Sequence, residues 1–385
     1  MIKFDFNTYN DIELINYDLS NIMSKFLSDN NMTDWYYLKD NIEEIRRNAD
    51  IIRNNCDVFI VVGIGGSFLG SKAVIDLFSS YFNNKPEILF VGNNLSSDYI
   101  NDLLEYIKNK DIYVNVISKS GNTTETLLAY DILLDYMKEK YDDYYNRIII
   151  TTNGEDGTLL KYANENNYRL FEISPNIPGR YSILSSVGLL PMAVAGIDID
   201  KILLGAEKCR DNLDNCYKYT YLRNEMQKKG KYIESFDVYE PKLYYFTEWI
   251  KQLFAESQGK NSNAIFPVST INPRDLHSIE QYYKSGNHIV FSTTIFINSK
   301  TSIYMKRFNK DLNQINKIVM ESVVKTRKDV MNTNLIELDS VNEEDIGYLI
   351  FFFEISAMLG SYLIDVNYFD QPDVNSYKAL MGSVL

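Results

Sequence analysis

The chain has 385 residues, 45% of them hydrophobic and 24% charged, and its 39 Lys and Arg against 52 Asp and Glu leave a net charge of −13. That apolar fraction excludes a disordered chain, and the length suits about two domains with a sizeable core. The negative balance argues against a general binder of nucleic-acid backbones, which needs a basic surface; it leaves room for an anionic small molecule held in one cationic pocket.

The sequence has no run of 18 or more apolar residues, and its longest candidates, 58–62 and 348–353, are strand- or core-sized. Residues 1–10 include Asp5 and no apolar leader-like stretch, so no signal peptide is expected. Cys56, Cys209 and Cys216 make an odd count without a CxxC pair, which reads as a reduced, cytoplasmic protein, and the charge balance and lack of an apolar span lead us to expect no nucleic-acid or membrane partner.

In chain order, residues 11–27 and 34–52 carry apolar positions at helical spacing. Residues 57–62 form a buried strand, followed by a Gly-rich turn over 63–70 and a helix from about 71. Strands over 88–91, 112–117 and 147–151 then alternate with helices over 97–108 and 122–140. Short apolar runs separated by helices predict a parallel sheet covered on both faces. The stretch 181–229 is mainly helical. Strand-like runs return at 233–239, 264–267, 288–297 and 335–338, separated by helices over 243–258, 275–284, 312–329 and 343–366. The expected organisation is α/β throughout: a helical segment over 1–54 packing on the second domain, a first domain over 55–175, and a second over 176–385. Each half shows a strand, a turn containing Ser or Gly, then a helix, which hints at a distant duplication.

Six segments have the residue types for chemistry. Gly63-Ile-Gly-Gly-Ser-Phe-Leu-Gly70 lies between a strand and a helix, where glycines allow close backbone approach and free N–H groups favour phosphate. It is neither GxGxxG nor a Walker A loop. Ser118-Lys-Ser-Gly-Asn-Thr-Thr-Glu-Thr126 also follows a strand, and five of its nine residues carry hydroxyls. Two such loops at the ends of strands in one open sheet point to a phosphate ester. Arg180, in Pro178-Gly-Arg-Tyr-Ser182, sits beside a glycine that lets a guanidinium approach a ligand. Glu256, in Glu-Ser-Gln-Gly-Lys260, is a candidate general base. Of the two histidines, His277 in Asp275-Leu-His-Ser278 is the better acid/base candidate, and the spacing of His277 and His288 suits no zinc motif. Lys378 closes Phe369-Asp-Gln-Pro-Asp-Val-Asn-Ser-Tyr-Lys378.

In this order the six segments resemble the phosphoglucose isomerase family, in a bacterial form, from about residue 57 to 378. The resemblance implies two sugar-isomerase (SIS) domains and cofactor-free, metal-free interconversion of glucose 6-phosphate and fructose 6-phosphate in glycolysis and gluconeogenesis. It implies that Ser67, Ser118, Lys119, Ser120 and Thr123 hold the phosphate and that Gly66 and Gln371 contact the substrate. Glu256 would move a proton between C2 and C1 through an enediol, with Arg180 stabilising the developing negative charge. His277 and Lys378 would assist ring opening. The resemblance further implies a homodimer with shared sites, the histidine coming from the partner chain. Four positions depart from the family pattern: Pro178 and Asn122 stand where Gly and Thr are usual, and Asp373 and Asn375 where Gly and Glu are usual. Two other readings remain open, a dual phosphoglucose/phosphomannose isomerase and a sugar-phosphate sensor without turnover; a sensor needs the phosphate loops but not Glu256.

Overall fold

A computed structural model describes the whole chain except residues 7–11, 13, 15, 16, 30, 39, 83 and 385 and the side chain of Asn375. Its strands are β1 (Ile2–Asp5), β2 (Val58–Val62), β3 (Glu87–Val91), β4 (Ile112–Ile117), β5 (Ile148–Asn153), β6 (Arg169–Ile173), β7 (Ile233–Val238), β8 (Phe266–Ile271), β9 (Val290–Ile297), β10 (Tyr304–Met305), β11 (Lys310–Asp311) and β12 (Thr333–Leu338). The chain divides into two compact units, Asn30–Leu203 and Met1–Asp29 with Leu204–Leu385.

In the 30–203 unit the strand order is β3-β2-β4-β5-β6, all parallel. Strands β2, β4 and β5 are buried along their whole length, which is why they read mostly as apolar runs rather than alternating ones; β2 is unbroken, Asn115 interrupts β4, and Thr151, Thr152 and Asn153 close β5. Val58, Ile60, Val114, Val116 and Ile150 join Tyr130, Leu133 and Met137 of helix Thr124–Lys140 in one core. The chain runs outward from β2 to β3, then returns past β2 to β4. That reversal splays the connections after β2 and β4 to opposite faces and opens a crevice at the carboxyl ends of these two strands, where open α/β sheets bind ligands.

The other unit has the order β1-β12-β9-β7-β8, with β1 antiparallel and the rest parallel. Its parallel part repeats the same plan, with the reversal between β7 and β9. Helix Glu343–Leu363 is long and apolar enough by composition to cross a membrane, but 83% of its most apolar stretch is buried in the protein, as in a core helix. Phe353 of that helix meets Phe236, Phe246 and Phe254 edge-on. Cys209 and Cys216 are buried free thiols with their sulfurs 3.7 Å apart.

The structure differs from the sequence expectation in several places. Segment 1–54 does not act as one piece: β1 pairs with β12, while helix Ile42–Asn55 packs on helix Ser186–Val194 within the 30–203 unit. The expected boundaries at 54/55 and 175/176 therefore sit apart from the division at 29/30 and 203/204. The helix expected over 34–52 is two, Asp34–Tyr37 and Ile42–Asn55, separated by Leu38 in a left-handed conformation (φ 51°). The helix expected over 11–27 falls partly outside the described residues; Ser20–Asp29 is helical. Strands β1 and β6 and the β10–β11 hairpin had no counterpart in the sequence reading, and β8 lies further along the chain than 264–267.

Candidate active site

Residues Gly65–Ser67 form a single 3-10 turn immediately after β2, and Gly65 needs its positive φ of 58° to make it. A Cβ on Gly66 would lie 2.1 Å from the Gly179 carbonyl oxygen, so the Gly-rich turn and the turn Gly179–Tyr181 touch backbone to backbone. Only glycine at 66 permits that approach. It sets Gly66 and half-buried Ser67 beside Arg180, whose side chain is buried. Pro178 adopts φ −63°, the value its ring prefers, so the departure from glycine there introduces no strain.

The second loop follows β4. The Ser118 hydroxyl lies 2.8 Å from that of Thr123 and 3.4 Å from that of Ser120. Thr123 stands at the N-cap of helix Thr124–Lys140, yet its hydroxyl makes no capping bond. The hydroxyls therefore face one another at the helix entrance instead of closing it, leaving first-turn N–H groups for an anion. Asn122 turns elsewhere: its side-chain oxygen accepts from the N–H and the hydroxyl of Thr158 (3.0 and 2.8 Å), tying the loop to the next connection.

Lys119 donates to the Pro175 carbonyl at 2.8 Å. Burial and the neighbouring Arg180 guanidinium hold its ammonium below the usual lysine range. Two cations gathered at the carboxyl ends of β2 and β4, among hydroxyls and a helix N-terminus, raise each other's cost and fit an anionic guest. The structure thus brings Gly66, Ser67, Ser118, Lys119, Ser120, Thr123 and Arg180 together within the 30–203 unit.

The remaining candidates belong to the other unit. Glu256 is half-buried in the last turn of helix Tyr244–Gln258 and accepts from Gln252 Nε2 at 2.9 Å. Gln252 is a polar neighbour the sequence reading passed over; its place four residues before Glu256, on the same helical face, was the available signal. Lys260, just past the helix, pairs with Asp370 at 2.8 Å and binds the Asn367 carbonyl, which draws the segment of exposed Gln371 toward the end that carries Glu256. Lys378 is exposed on helix Val374–Gly382. Asp373 stands exposed at the start of that helix, and the Asn375 side chain lies outside the described residues.

His277 is exposed in the first turn of helix Leu276–Ser285. Asp275 before it accepts from the Ile271 N–H at 2.7 Å, and its bond with Arg274 holds the carboxyl below the usual carboxylate range. The structure does not bring His277 to Glu256. Helix Tyr244–Gln258 connects parallel β7 to parallel β8, so its last turn lies at the amino edge of the sheet. His277 follows β8 and lies at the carboxyl edge. The length of a six-residue strand, about 20 Å, separates the two edges. Among the described residues no group of three or more His, Cys, Asp or Glu is placed to hold a metal ion.

The phosphoglucose isomerase family model matches residues 37–265. The chain belongs to that family. A glucose-6-phosphate isomerase of Acetivibrio thermocellus is 41% identical over 379 residues, covering 91% of this chain and 85% of the relative. Among solved structures, a hypothetical protein from Thermus thermophilus shares the fold with a TM-score of 0.89 at 24% identity, covering 100% of this chain and 99% of that one. A glucose-6-phosphate isomerase from Chlamydia trachomatis shares it with a TM-score of 0.76 at 20% identity, covering 89% of this chain and 72% of the other. Membership fits the two parallel sheets flanked by helices and the hydroxyl-rich loop beside paired cations.

Proposed function

We propose that this chain catalyses the reversible aldose–ketose isomerisation of glucose 6-phosphate and fructose 6-phosphate. The observation that carries the reading is the gathering of Lys119 and Arg180 with the hydroxyls of Ser118, Ser120 and Thr123 and the backbone of Gly66 and Ser67, in a family member with a half-buried carboxylate at Glu256.

In this reading the hydroxyls and helix N–H groups bind the phosphate dianion without a metal. Once the sugar ring is open, Glu256 takes the proton from C2 of the aldose, the carbonyl oxygen on C1 gains a proton, and a 1,2-enediol forms. Glu256 returns its proton to C1 while the C2 hydroxyl becomes the new carbonyl, so no electron leaves the sugar. Arg180 stabilises the enediolate oxygen. Gln371 contacts the substrate, and His277 and Lys378 move the ring-opening proton between O5 and O1. Because Glu256 and His277 lie at opposite edges of one sheet, a homodimer in which a second copy supplies His277 fits this chemistry.

The test is a coupled assay of glucose 6-phosphate formed from fructose 6-phosphate, with chelator present, for wild type and Glu256→Gln. Wild type is expected to turn over. The variant should lose about 100- to 10,000-fold in kcat while still binding fructose 6-phosphate. A folded wild type that binds the sugar phosphate without converting it would overturn the reading and leave a sensor. Mannose 6-phosphate in the same assay separates single from dual specificity.

A further inference from the structure

The last turn of a helix is where the backbone is least held, because its carbonyls lack intrahelical partners. Glu256 sits in such a turn, followed by Gly259. A base that must meet a carbon-bound proton needs its carboxylate held to about half an ångström. The turn is anchored by buried groups to which the proposed chemistry gives no role, and one of them, Arg223, lies outside the six segments.

Gln258, the last residue of the helix, is buried. Its side-chain oxygen accepts from Arg223 Nη1 at 3.0 Å, and its amide nitrogen donates to the Ala357 carbonyl at 3.0 Å. Gly360 leaves the space for it, since a Cβ there would fall 2.3 Å from that nitrogen. Arg223 is buried too; its Nε donates to Glu234 at 2.5 Å, and its guanidinium lies 4.0 Å from the centre of the Phe254 ring. Glu234, on β7, accepts in turn from Tyr219 and Thr293 at 2.7 and 2.6 Å. Ser361 donates to the Ser257 carbonyl at 3.2 Å. Residues 254, 257 and 258 are thus fixed on both sides of Glu256, and the chain of bonds ends on the central strands of the sheet.

We propose that Arg223 and Gln258 are positioning residues for Glu256, holding the last helical turn so that the carboxylate keeps its register with the substrate; this rests on the isomerase reading above. The guanidinium suits the task because one planar group binds Glu234 through Nε and Gln258 through Nη1. A lysine keeps the charge opposite Glu234 but not the second arm.

The experiment compares wild type, Arg223→Lys, Gln258→Met and, as a control in the other unit, Tyr130→Phe, which loses the buried contact with the Tyr168 hydroxyl. Each is checked for folding by circular dichroism and Tm, then assayed for kcat and KM with fructose 6-phosphate and for competitive inhibition by inorganic phosphate. The expected result is a fall in kcat of about 10- to 100-fold in Arg223→Lys and Gln258→Met, with KM and phosphate inhibition unchanged within about threefold. Tyr130→Phe should keep its kcat despite a lowered Tm. If Gln258→Met does not fold, Gln258→Asn, which keeps the amide and shortens its reach, takes its place. Folded variants with wild-type kcat, or a loss that tracks Tm in the control as well, would overturn the positioning role while leaving the isomerase reading intact. A wild type without turnover would overturn both.

Discussion

Lys119 and Arg180 show how one residue's environment carries functional information: like charges held close in a partly buried place disfavour each other's charged form, and an anion between or beside them relieves that cost. Asp40 presents the opposite case behind the Arg180 turn. Its carboxylate accepts from the Ser186 N–H at the start of helix Ser186–Val194, yet burial outweighs that bond and holds its pKa above the usual aspartate value. A group whose pKa rises on folding binds its proton more tightly in the native state. Its contribution is therefore complete below the usual aspartate range and lost as pH rises through the raised value. Asp40→Asn, shaped like the protonated acid, should flatten this dependence: Tm of wild type relative to the variant should fall as pH rises from the usual aspartate value of about 4 through the raised one. A constant difference across that range would refute it. At this scale the proposed site was largely legible, because glycine, serine, arginine and glutamate in fixed spacings signal their chemistry directly. Arg223, Gln252 and Gln258 were not, because their meaning comes from partners distant in sequence or from a helical face.

Helix Leu276–Ser285, which presents His277, is held by a second buried guanidinium. Arg327 binds Glu280 of that helix through Nε at 3.0 Å and Asp237 of β7 through Nη1 at 2.6 Å, while Asp237 also accepts from Ser235 and Thr270. Removing Arg327 leaves buried Asp237 and partly buried Glu280 without their cation. Arg327→Met should destabilise the protein by about 3–5 kcal/mol, read by urea unfolding, and a loss below about 1 kcal/mol would mean that the network relaxes or hydrates. Elements were legible in proportion to their burial. Strand β2 and the apolar stretches of β4, β5 and β9, interrupted only by Asn, Ser and Thr, announced themselves. Of the edge strands, β3 was read over 88–91, but β6, with Arg169 and Glu172 among its five residues, was not, and β8 was placed too early because Pro267 reads as a terminator but is tolerated on an edge. β1, with its Ile-Lys-Phe-Asp alternation over four residues, is too short to stand out.

For the whole molecule, both parallel sheets reverse direction after their first crossover and place their third strand on the far side of the first. This shared order gives substance to the duplication hinted at by the sequence. The opposite-edge placement of Glu256 and His277 leads to a complementation test. Glu256→Gln and His277→Gln proteins should each be nearly inactive alone. Unfolded together and refolded as a mixture, they should regain about a quarter of wild-type activity, because half of the dimers are mixed and each carries one intact site. No recovery from a mixture shown to contain mixed dimers would sink the shared-site dimer.

The pairing of β1 with β12 bears on how the protein is made. Residues of the 30–203 unit can close their sheet once β6 has left the ribosome, and domains generally fold as they emerge. β1 emerges first but finds its partner only when residues 333–338 are synthesised. Throughout that wait it is a nascent strand without a neighbour, and the charged side chains of Lys3 and Asp5 between Ile2 and Phe4 keep it from offering an unbroken apolar edge to other chains.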